Sequence, residues 1–261
     1  MNEPDFPAPP PSAPVKRRFS PLLAISLVVL VAGVALVGLS LLKVLGYGMG
    51  TLSGATMEPT VPAGTSVIYR PRDGGEVRRG DLVLIEAGRF EGRPAGVIRR
   101  VIAVGGDRAS CCDPGHRIQV NGRSVTEPYL DPRVPLADNA VDFSVTVPPG
   151  SVFVAADNRS ISDDSRTTAY LPGGGAIPLS KVDGVIVAKG ALLWAETLKP
   201  TTAFTDAGLP GAATEDTGPV TGRRTAGGGA ALFLLGFVGA VVTAARSARK
   251  RRIAAAVPPV H

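Results

Sequence analysis

The feature that most constrains this chain is an uncharged, apolar stretch at residues 21–42 (PLLAISLVVLVAGVALVGLSLL). As an α-helix it spans roughly 30 Å, which is the thickness of the hydrocarbon core of a bilayer. The basic residues 16–18 (KRR) precede it, and such residues stay on the cytoplasmic side. A cleaved signal peptide is the alternative, but its apolar region is shorter, about 7–15 residues, and no A-x-A site follows here. The sequence therefore predicts a cytoplasmic tail over residues 1–20 and a transmembrane anchor over 21–44.

A second uncharged stretch covers residues 226–245 (AGGGAALFLLGFVGAVVTAA), and its length predicts a second transmembrane helix although five glycines lower its hydropathy. The basic residues 246–252 (RSARKRR) follow it, as expected for a helix that returns to the cytoplasm. The alternative is a Gly/Ala-rich tail with a basic end. Two spans predict a hairpin in the cell (plasma) membrane, with the lipid bilayer as a partner. Both termini, including the basic tail over 246–261, are then cytoplasmic, and the residues between the spans are extracytoplasmic.

The net charge of +6 is the next feature, since it is typical of proteins that bind nucleic acid. Eight of the 28 lysines and arginines, however, lie in the two clusters beside the apolar stretches, and the chain between them is close to neutral. No basic face with interleaved aromatic residues remains, so no nucleic-acid partner is expected. Two cysteines by themselves cannot make a four-ligand zinc site, and two histidines rule out a His-rich metal centre, so we expect no metal and no cofactor. Nothing in the sequence indicates an oligomeric state.

Short runs rich in Val and Ile fill residues 45–197, and turn residues separate them. No long segment with helical periodicity interrupts these runs. They predict a mainly β extracytoplasmic domain of the sandwich or barrel type between the two transmembrane helices. Asn121-Gly122 predicts a tight hairpin within it. Residues 198–225 have little periodicity and predict a flexible linker to the second span.

The two cysteines are neighbours, Cys111 and Cys112. An extracytoplasmic location permits a disulfide, which between neighbours closes a strained small ring. Two small thiols in the core are the alternative, and the sequence leaves both open.

Three segments carry candidate chemistry, although each one alone is typical of a turn or a solvated loop beside a strand. Residues 54–60 (GATMEPT) follow the first span, residues 97–107 (VIRRVIAVGGD) contain a predicted strand, and residues 156–166 (ADNRSISDDSR) form a polar run. Their order and spacing give them more weight together than each has alone.

Together the segments resemble the type I signal peptidases, the membrane-anchored serine endopeptidases that remove signal peptides from exported proteins. That family carries G-x-S-M-x-P-T after its anchor, then K-R-V-I-G-x-x-G-D, then G-D-N-R-x-x-S-x-D-S-R. The resemblance covers roughly residues 20–195. The matching residues are Met57, Pro59 and Thr60 in the first motif, Arg100, Val101, Ile102, Gly106 and Asp107 in the second, and Asp157, Asn158, Arg159, Ser162, Asp164, Ser165 and Arg166 in the third.

The resemblance implies a Ser–Lys dyad, in which a neutral lysine amine takes the serine proton and the serine oxygen attacks the peptide carbonyl. This chain departs from the family at both positions. Thr56 stands at the nucleophile position and Arg99 at the general-base position. Threonine keeps a hydroxyl, but a guanidinium stays protonated and accepts no proton. Ser162 matches the family residue that hydrogen-bonds the base, and here it is expected to face Arg99.

Further residues match family positions that support the site. They are Gly54, Met57, Pro59, Asp157, Asn158, Arg159, Asp164 and Arg166. For Asp157, Asp164 and Arg166, charge pairing suffices for that role. Ser53 is a possible substitute nucleophile, although a plain loop serine is the more ordinary interpretation. His116 lies in a turn-like stretch and is more typical of a solvated turn residue than of a base.

Two functions follow as hypotheses. The first is a signal peptidase I-like hydrolase that removes signal peptides from exported preproteins after small residues (A-x-A) at the outer face of the membrane. The alternative is a catalytically impaired homologue that binds signal peptides or preproteins without efficient cleavage. A membrane protein with an unrelated β domain is disfavoured by the three ordered motifs.

Overall fold

The computed structural model describes residues 20–52, 54–72, 76–85 and 96–255. The predictions for most of the N-terminal tail, for the end of the C-terminal tail and for Ser53 lie outside these residues. The chain divides into two compact units, one of residues 1–37 with 227–261 and one of residues 38–226. The helices are α1 (Pro21–Val44), α2 (Ala203–Asp206) and α3 (Gly218–Ala255). The strands are β1 (Gly48–Thr51), β2 (Ser66–Pro71), β3 (Leu82–Ile85), β4 (Val97–Val104), β5 (Arg108–Cys111), β6 (Gln119–Val120), β7 (Arg123–Ser124), β8 (Phe143–Thr146), β9 (Ser151–Ala155), β10 (Ile177–Pro178), β11 (Val182–Lys189) and β12 (Glu196–Thr197).

The first unit is built from α1 and α3, which are both long and apolar enough to cross a membrane. Glycines lie where the two helices pack against each other. A Cβ on Gly236 would come within 2.5 Å of the Leu30 backbone nitrogen, and one on Gly229 within 2.9 Å of the Gly33 carbonyl oxygen. Glycine lets two backbones approach this closely inside a membrane. Gly229 and Gly236, two of the five glycines that lower the hydropathy of the second stretch, therefore have a packing role.

The second unit is mainly β. Its larger sheet has the strand order β1-β2-β11-β3-β4-β9-β10, with β12 pairing beside β11, and its smaller sheet has the order β7-β6-β5-β8. Every pairing is antiparallel. The predicted mainly β domain between two apolar helices is confirmed. The predicted hairpin is also present, since Val120 pairs with Arg123 across Asn121 and Gly122, which both have positive φ.

The core of the β unit places the segment that contains Thr56. Leu52, Met57 and Val61 are buried together with Ile98 of β4 and Ile186 of β11. Met57 has no exposed surface, so the segment is held to the sheet from below. A larger core cluster joins the two sheets through Phe143 and Phe153, whose ring centroids lie 4.9 Å apart.

The segment after β12 differs from the flexible linker that its composition predicts. Phe204 of α2 and Leu209 are buried in the larger core cluster. The Arg79 guanidinium also donates to the Pro210 carbonyl at 2.6 Å. Two apolar side chains without a periodic pattern suffice to hold this segment against the domain. The remaining domain boundaries stay predictions.

The second apolar stretch belongs to a helix that begins at Gly218, before the predicted residue 226. The Asp216 carboxylate accepts the backbone N–H of Gly218 at 2.9 Å, and such a side chain caps the start of a helix. The same carboxylate accepts the Tyr47 hydroxyl at 2.9 Å and the Arg70 guanidinium at 3.2 Å. Burial and this carboxylate raise the pKa of Tyr47 to about 12. In the smaller sheet, the structure joins Cys111 and Cys112 in a disulfide.

Candidate active site

Strand β4 brings Arg99 under the loop that carries Thr56. The Arg99 side chain is almost fully buried, and its Nη1 donates to the Thr56 Oγ1 at 3.3 Å. Asn158 holds this loop from the other side, because its backbone N–H donates to the Thr56 carbonyl at 2.9 Å and its Nδ2 donates to the Ala55 carbonyl at 3.3 Å. The three motif segments therefore meet at one place.

The other contacts of Arg99 include two backbone carbonyls. Its Nη1 donates to the Ile98 carbonyl at 2.9 Å, and its Nη2 and Nε donate to the Asp163 carbonyl at 2.9 and 3.3 Å. A lysine amine has three donors on one atom and no fork, so it cannot reproduce this set of contacts. Arg99 thus holds the loop that contains Asp163 and also contacts Thr56.

A pocket of about 450 Å³ opens beside the Thr56 hydroxyl. Ser162 lines it, and the Ser162 hydroxyl donates to the Asn158 carbonyl at 2.8 Å. Its role at the base position stays a prediction. We name this space the Thr56 pocket. Its lining residues are Gly54, Ala55, Thr56, Arg159, Ser160, Ile161, Ser162, Asp163 and Thr167.

Behind the pocket lies a buried ion pair between Arg100 and Asp157. Two parallel hydrogen bonds join them, from Nε to Oδ1 at 2.8 Å and from Nη2 to Oδ2 at 2.6 Å. Thr60 donates to the same carboxylate, and the Arg100 guanidinium stacks 3.9 Å from the centroid of the Tyr129 ring. Burial alone would lower the pKa of Arg100, but the charge and hydrogen bonds of Asp157 raise it.

Two more buried pairs stabilise the third motif. Arg166 donates two hydrogen bonds to the Asp164 carboxylate, from Nε and from Nη2, both at 2.9 Å. The Asp164 carboxylate also accepts the backbone N–H of Ala156. Arg159 pairs with Glu127. Burial opposes the charge of Arg159, and the Glu127 carboxylate more than compensates, so that the pKa of Arg159 lies above its ordinary value. These contacts explain how a loop rich in charges is buried beside a pocket.

Several contacts within the site were not predicted from the sequence. Glu127 and Tyr129 contact the buried arginines, and Thr60 contacts Asp157. Asp163 lines the pocket. In the sequence, Asp163 is the first of two consecutive aspartates before Ser165. Asp164 is buried and Asp163 is exposed.

The remaining predicted residues are easily placed. Gly54 lines the Thr56 pocket and Met57 lies in the core, whereas Pro59 is exposed at the end of the same loop. His116 lines a different, much smaller space together with Cys111 and Glu127. Within the described residues, no group of three or more His, Cys, Asp or Glu side chains has a metal-binding arrangement.

The chemistry of the site follows from the Arg99 contact. A guanidinium has no acceptor for a proton, so Arg99 does not act as a general base. Its N–H occupies a lone pair of the Thr56 oxygen and stabilises negative charge that develops there. Among the side chains that the structure describes around the Thr56 pocket, none is a lysine or a histidine. The site thus offers a hydroxyl and a fixed cation.

A family model described as "Signal peptidase, peptidase S26" matches residues 23–190. The chain belongs to this family, and the resemblance predicted from the three motifs is confirmed. The match includes the first apolar helix and ends at β11 and the residue that follows it.

Three curated relatives are called signal peptidase I. One from Mycobacterium tuberculosis is 44% identical over 101 residues, which are 34% of this chain and 34% of that protein. One from Bacillus caldolyticus is 33% identical over 150 residues, covering 53% of this chain and 79% of the relative. Signal peptidase I U of Bacillus subtilis is 27% identical over 164 residues, with 60% and 82% covered. The chain thus matches about a third of the length of the mycobacterial relative.

A crystal structure of a signal peptidase I from Enterococcus faecalis is also similar. It is 26% identical, and the match covers 42% of this chain and 97% of that one with a TM-score of 0.33. The family assignment comes from the match over residues 23–190.

Proposed function

We propose that this chain is a signal peptidase I-like membrane endopeptidase of low turnover, which removes signal peptides from exported preproteins after small residues of the A-x-A type. The observation that carries the proposal is that Thr56 lines a pocket of about 450 Å³ between the first and third motifs. Thr56 is the nucleophile, and Arg99 occupies the position of the base.

In the proposed reaction, the Thr56 oxygen attacks the scissile carbonyl and its proton passes to water, because Arg99 accepts none. The Arg99 N–H, 3.3 Å from this oxygen, stabilises the charge that builds up on it before attack. The peptide C–N bond breaks, the departing amine takes a proton from water, and a second water hydrolyses the resulting ester. Turnover is low because general-base assistance is commonly worth about 10²–10⁴-fold in rate.

A second candidate function is favoured by the same hydrogen bond. Because the Thr56 oxygen accepts from a permanent cation, the hydroxyl is polarised to donate its own proton to an acceptor in the pocket. A peptide carbonyl is such an acceptor. The chain would then bind signal peptides or preproteins without efficient cleavage, with the buried ion pairs maintaining the binding surface.

The experiment that separates the two functions uses the purified full chain in detergent with a preprotein that carries an A-x-A site. Cleavage by the wild type that disappears in Thr56→Ala supports the endopeptidase. Binding without any cleavage, measured by anisotropy of a labelled signal peptide, supports the second function. If the signal peptide neither binds nor is cleaved, both functions are wrong.

We also propose that the chain crosses the plasma membrane twice, with both termini cytoplasmic and the β domain extracytoplasmic. The two apolar helices and the basic cluster after the second one support this topology. Protease added outside intact cells is expected to cut before α3 and to leave Arg249 and its neighbours protected. Cleavage within residues 246–252 would contradict the second span.

A further inference from the structure

The Thr56 pocket contains two ionisable side chains among its described lining residues, Arg159 and Asp163. The guanidinium of Arg159 is buried and paired with Glu127, and it also donates to the Ala156 carbonyl. Its charge is therefore neutralised inside the protein. Asp163 is the other ionisable residue of the lining, and it is exposed.

The position of Asp163 is fixed through its backbone. Its carbonyl accepts two N–H groups of Arg99, at 2.9 and 3.3 Å. The residues on either side are also held, since the Ser162 hydroxyl donates to the Asn158 carbonyl and the Asp164 carboxylate is buried against Arg166. Asp163 is thus an exposed residue between two buried, hydrogen-bonded neighbours. These contacts hold its backbone in place without a bound ligand.

The carboxylate of Asp163 is exposed, in contrast to that of Asp164, which has no exposed surface. Within the described part of the chain, no hydrogen bond or ion pair involves the Asp163 carboxylate. Arg99 is buried beneath Thr56, donates to the Asp163 carbonyl and does not line the pocket. An exposed carboxylate therefore lies at the rim of the pocket.

From this arrangement we propose that Asp163 is a specificity-determining residue, which favours peptides carrying a cationic side chain next to the bond that Thr56 faces. The inference rests on the proposed function, because it requires a peptide in the Thr56 pocket. It names a substrate class within that function: signal peptides or preproteins with a lysine or arginine close to the A-x-A site. A carboxylate at the same place is disfavoured by like-charge repulsion.

The expected size of the effect is modest, because the rim is solvent-exposed. Exposed ion pairs change affinity by about 1.5- to 5-fold. The effect also depends on salt, since the Debye length falls from about 10 Å at 0.1 M to about 3 Å at 1 M.

The test measures binding rather than cleavage. Labelled peptides with one A-x-A site carry lysine, glutamine or glutamate at each of the two positions on either side of the site. Their affinity for the full chain is measured by anisotropy, and mass spectrometry confirms that they stay intact. We expect at least one lysine peptide to bind about 1.5- to 5-fold more tightly than its glutamine counterpart, and the gain to shrink at high salt.

Two variants assign that gain to Asp163. Asp163→Asn should abolish it, and Asp163→Lys should reverse it so that the glutamate peptide binds best. Asp142→Asn is the matched control, since Asp142 is an exposed carboxylate just before β8 that does not line the pocket. It should leave the gain unchanged.

The outcomes are distinguishable. Equal binding of the lysine, glutamine and glutamate peptides, or a lysine gain that survives Asp163→Asn, overturns the role of Asp163 while the proposed function stands. If the glutamine peptide does not bind at all, the proposed function fails and the inference fails with it.

Discussion

Strand β4 contains two adjacent arginines, Arg99 and Arg100, that belong to different parts of the site. We call Arg99 and Thr56 the reacting region, and the buried ion pairs that include Arg100 and Asp157 the supporting region. Arg99 and Arg100 are 1% and 4% exposed, so burial does not distinguish them. Arg100 forms two parallel hydrogen bonds with the Asp157 carboxylate and stacks on the Tyr129 ring. The described contacts of Arg99 end on a hydroxyl and two backbone carbonyls. The two positive charges of β4 therefore have different roles. The charge of Arg100 stabilises the fold through Asp157, and the charge of Arg99 lies against the candidate nucleophile Thr56.

This difference explains why the chain matches the family motifs at the supporting residues and departs from them at Thr56 and Arg99. The supporting region needs only opposite charges in a fixed geometry, and Asp157, Asp164 and Arg166 satisfy this without any chemistry. The reacting region needs a proton acceptor, and Arg99 is not one. A chain can therefore keep the entire supporting region after the reacting region has changed.

The largest effect is expected when the reacting region is restored. Arg99→Lys combined with Thr56→Ser supplies an amine that can lose its proton when it is buried, and a less hindered hydroxyl. We expect cleavage of an A-x-A substrate to rise by about 10²–10⁴-fold, and by more than the two single changes predict together. The measurement is the single-turnover rate of preprotein cleavage.

The matched control for this gain is Arg100→Lys, which places a lysine one residue further along β4 within the supporting region. It should not raise cleavage. If wild type already cleaves well and Arg99→Lys is no faster, the base lies elsewhere and the comparison of the two arginines is wrong.

The next effect concerns stability. Asp157→Ala removes one partner of a buried pair and leaves Arg100 charged and buried, which commonly costs about 3–5 kcal/mol. We expect the free energy of unfolding of the β domain to fall by about this amount in denaturant titrations of the full chain. Asp163→Ala, in the same loop but exposed, should change it by less than about 0.5 kcal/mol. Similar losses in both variants would show that the supporting region does not depend on this pair.

A third prediction uses a titratable group beside Arg100. Burial raises the pKa of Asp81 to about 6, although Arg70, Arg78 and Arg100 oppose the shift. Between about pH 4 and pH 6 the folded state then holds a proton that the unfolded state releases, so stability falls as the pH rises through this range. Above pH 6 the loss is complete.

Asp81→Asn should remove this pH dependence. At pH 7 the variant should be more stable than wild type by an amount on the order of 1–3 kcal/mol, and at pH 3.5 the two should be equal. Unfolding temperatures recorded from pH 3.5 to 7.5 test this. A wild-type stability that is flat across that interval would refute the shifted pKa.

The smallest effect is expected at an exposed pair with the same geometry. Arg133 and Asp131 lie 2.7 Å apart, nearly as close as Arg100 and Asp157, but the Arg133 side chain is 87% exposed. Exposed ion pairs contribute little, because water and salt screen them. Arg133→Gln should therefore leave the unfolding temperature nearly unchanged. A fall comparable with that of Asp157→Ala would mean that proximity, and not burial, determines the strength of these pairs.

Much of the sheet could be predicted from local sequence. The Val- and Ile-rich runs at 65–70, 81–86 and 96–104 became β2, β3 and β4, since such residues favour a half-buried pleated surface. Strand β1 (GMGT) was not predictable, because two glycines and no β-branched apolar residue give no signal. It forms through its pairing with β2, which depends on the chain folding back.

The candidate site was less accessible to sequence reasoning. The motif order brings Thr56, Arg99 and Ser162 to one region, but whether the Ser162 hydroxyl contacts Arg99 or a carbonyl depends on the path of a loop. The pairing of Glu127 with Arg159 joins residues 32 positions apart through tertiary packing. The sequence did not predict this pairing, because no local pattern connects the two residues.

The Asp216 carboxylate has a consequence for the architecture of the chain as a whole. Because this carboxylate binds Tyr47, just after α1, and Gly218, where α3 begins, it joins the start and the end of the chain segment between the two helices. The β unit is therefore a closed module inserted between two helices, and ends that lie this close are the arrangement that tolerates domain insertion and circular permutation. Evolution can exchange the anchors on either side of such a module, or remove one of them, without rebuilding its sheet.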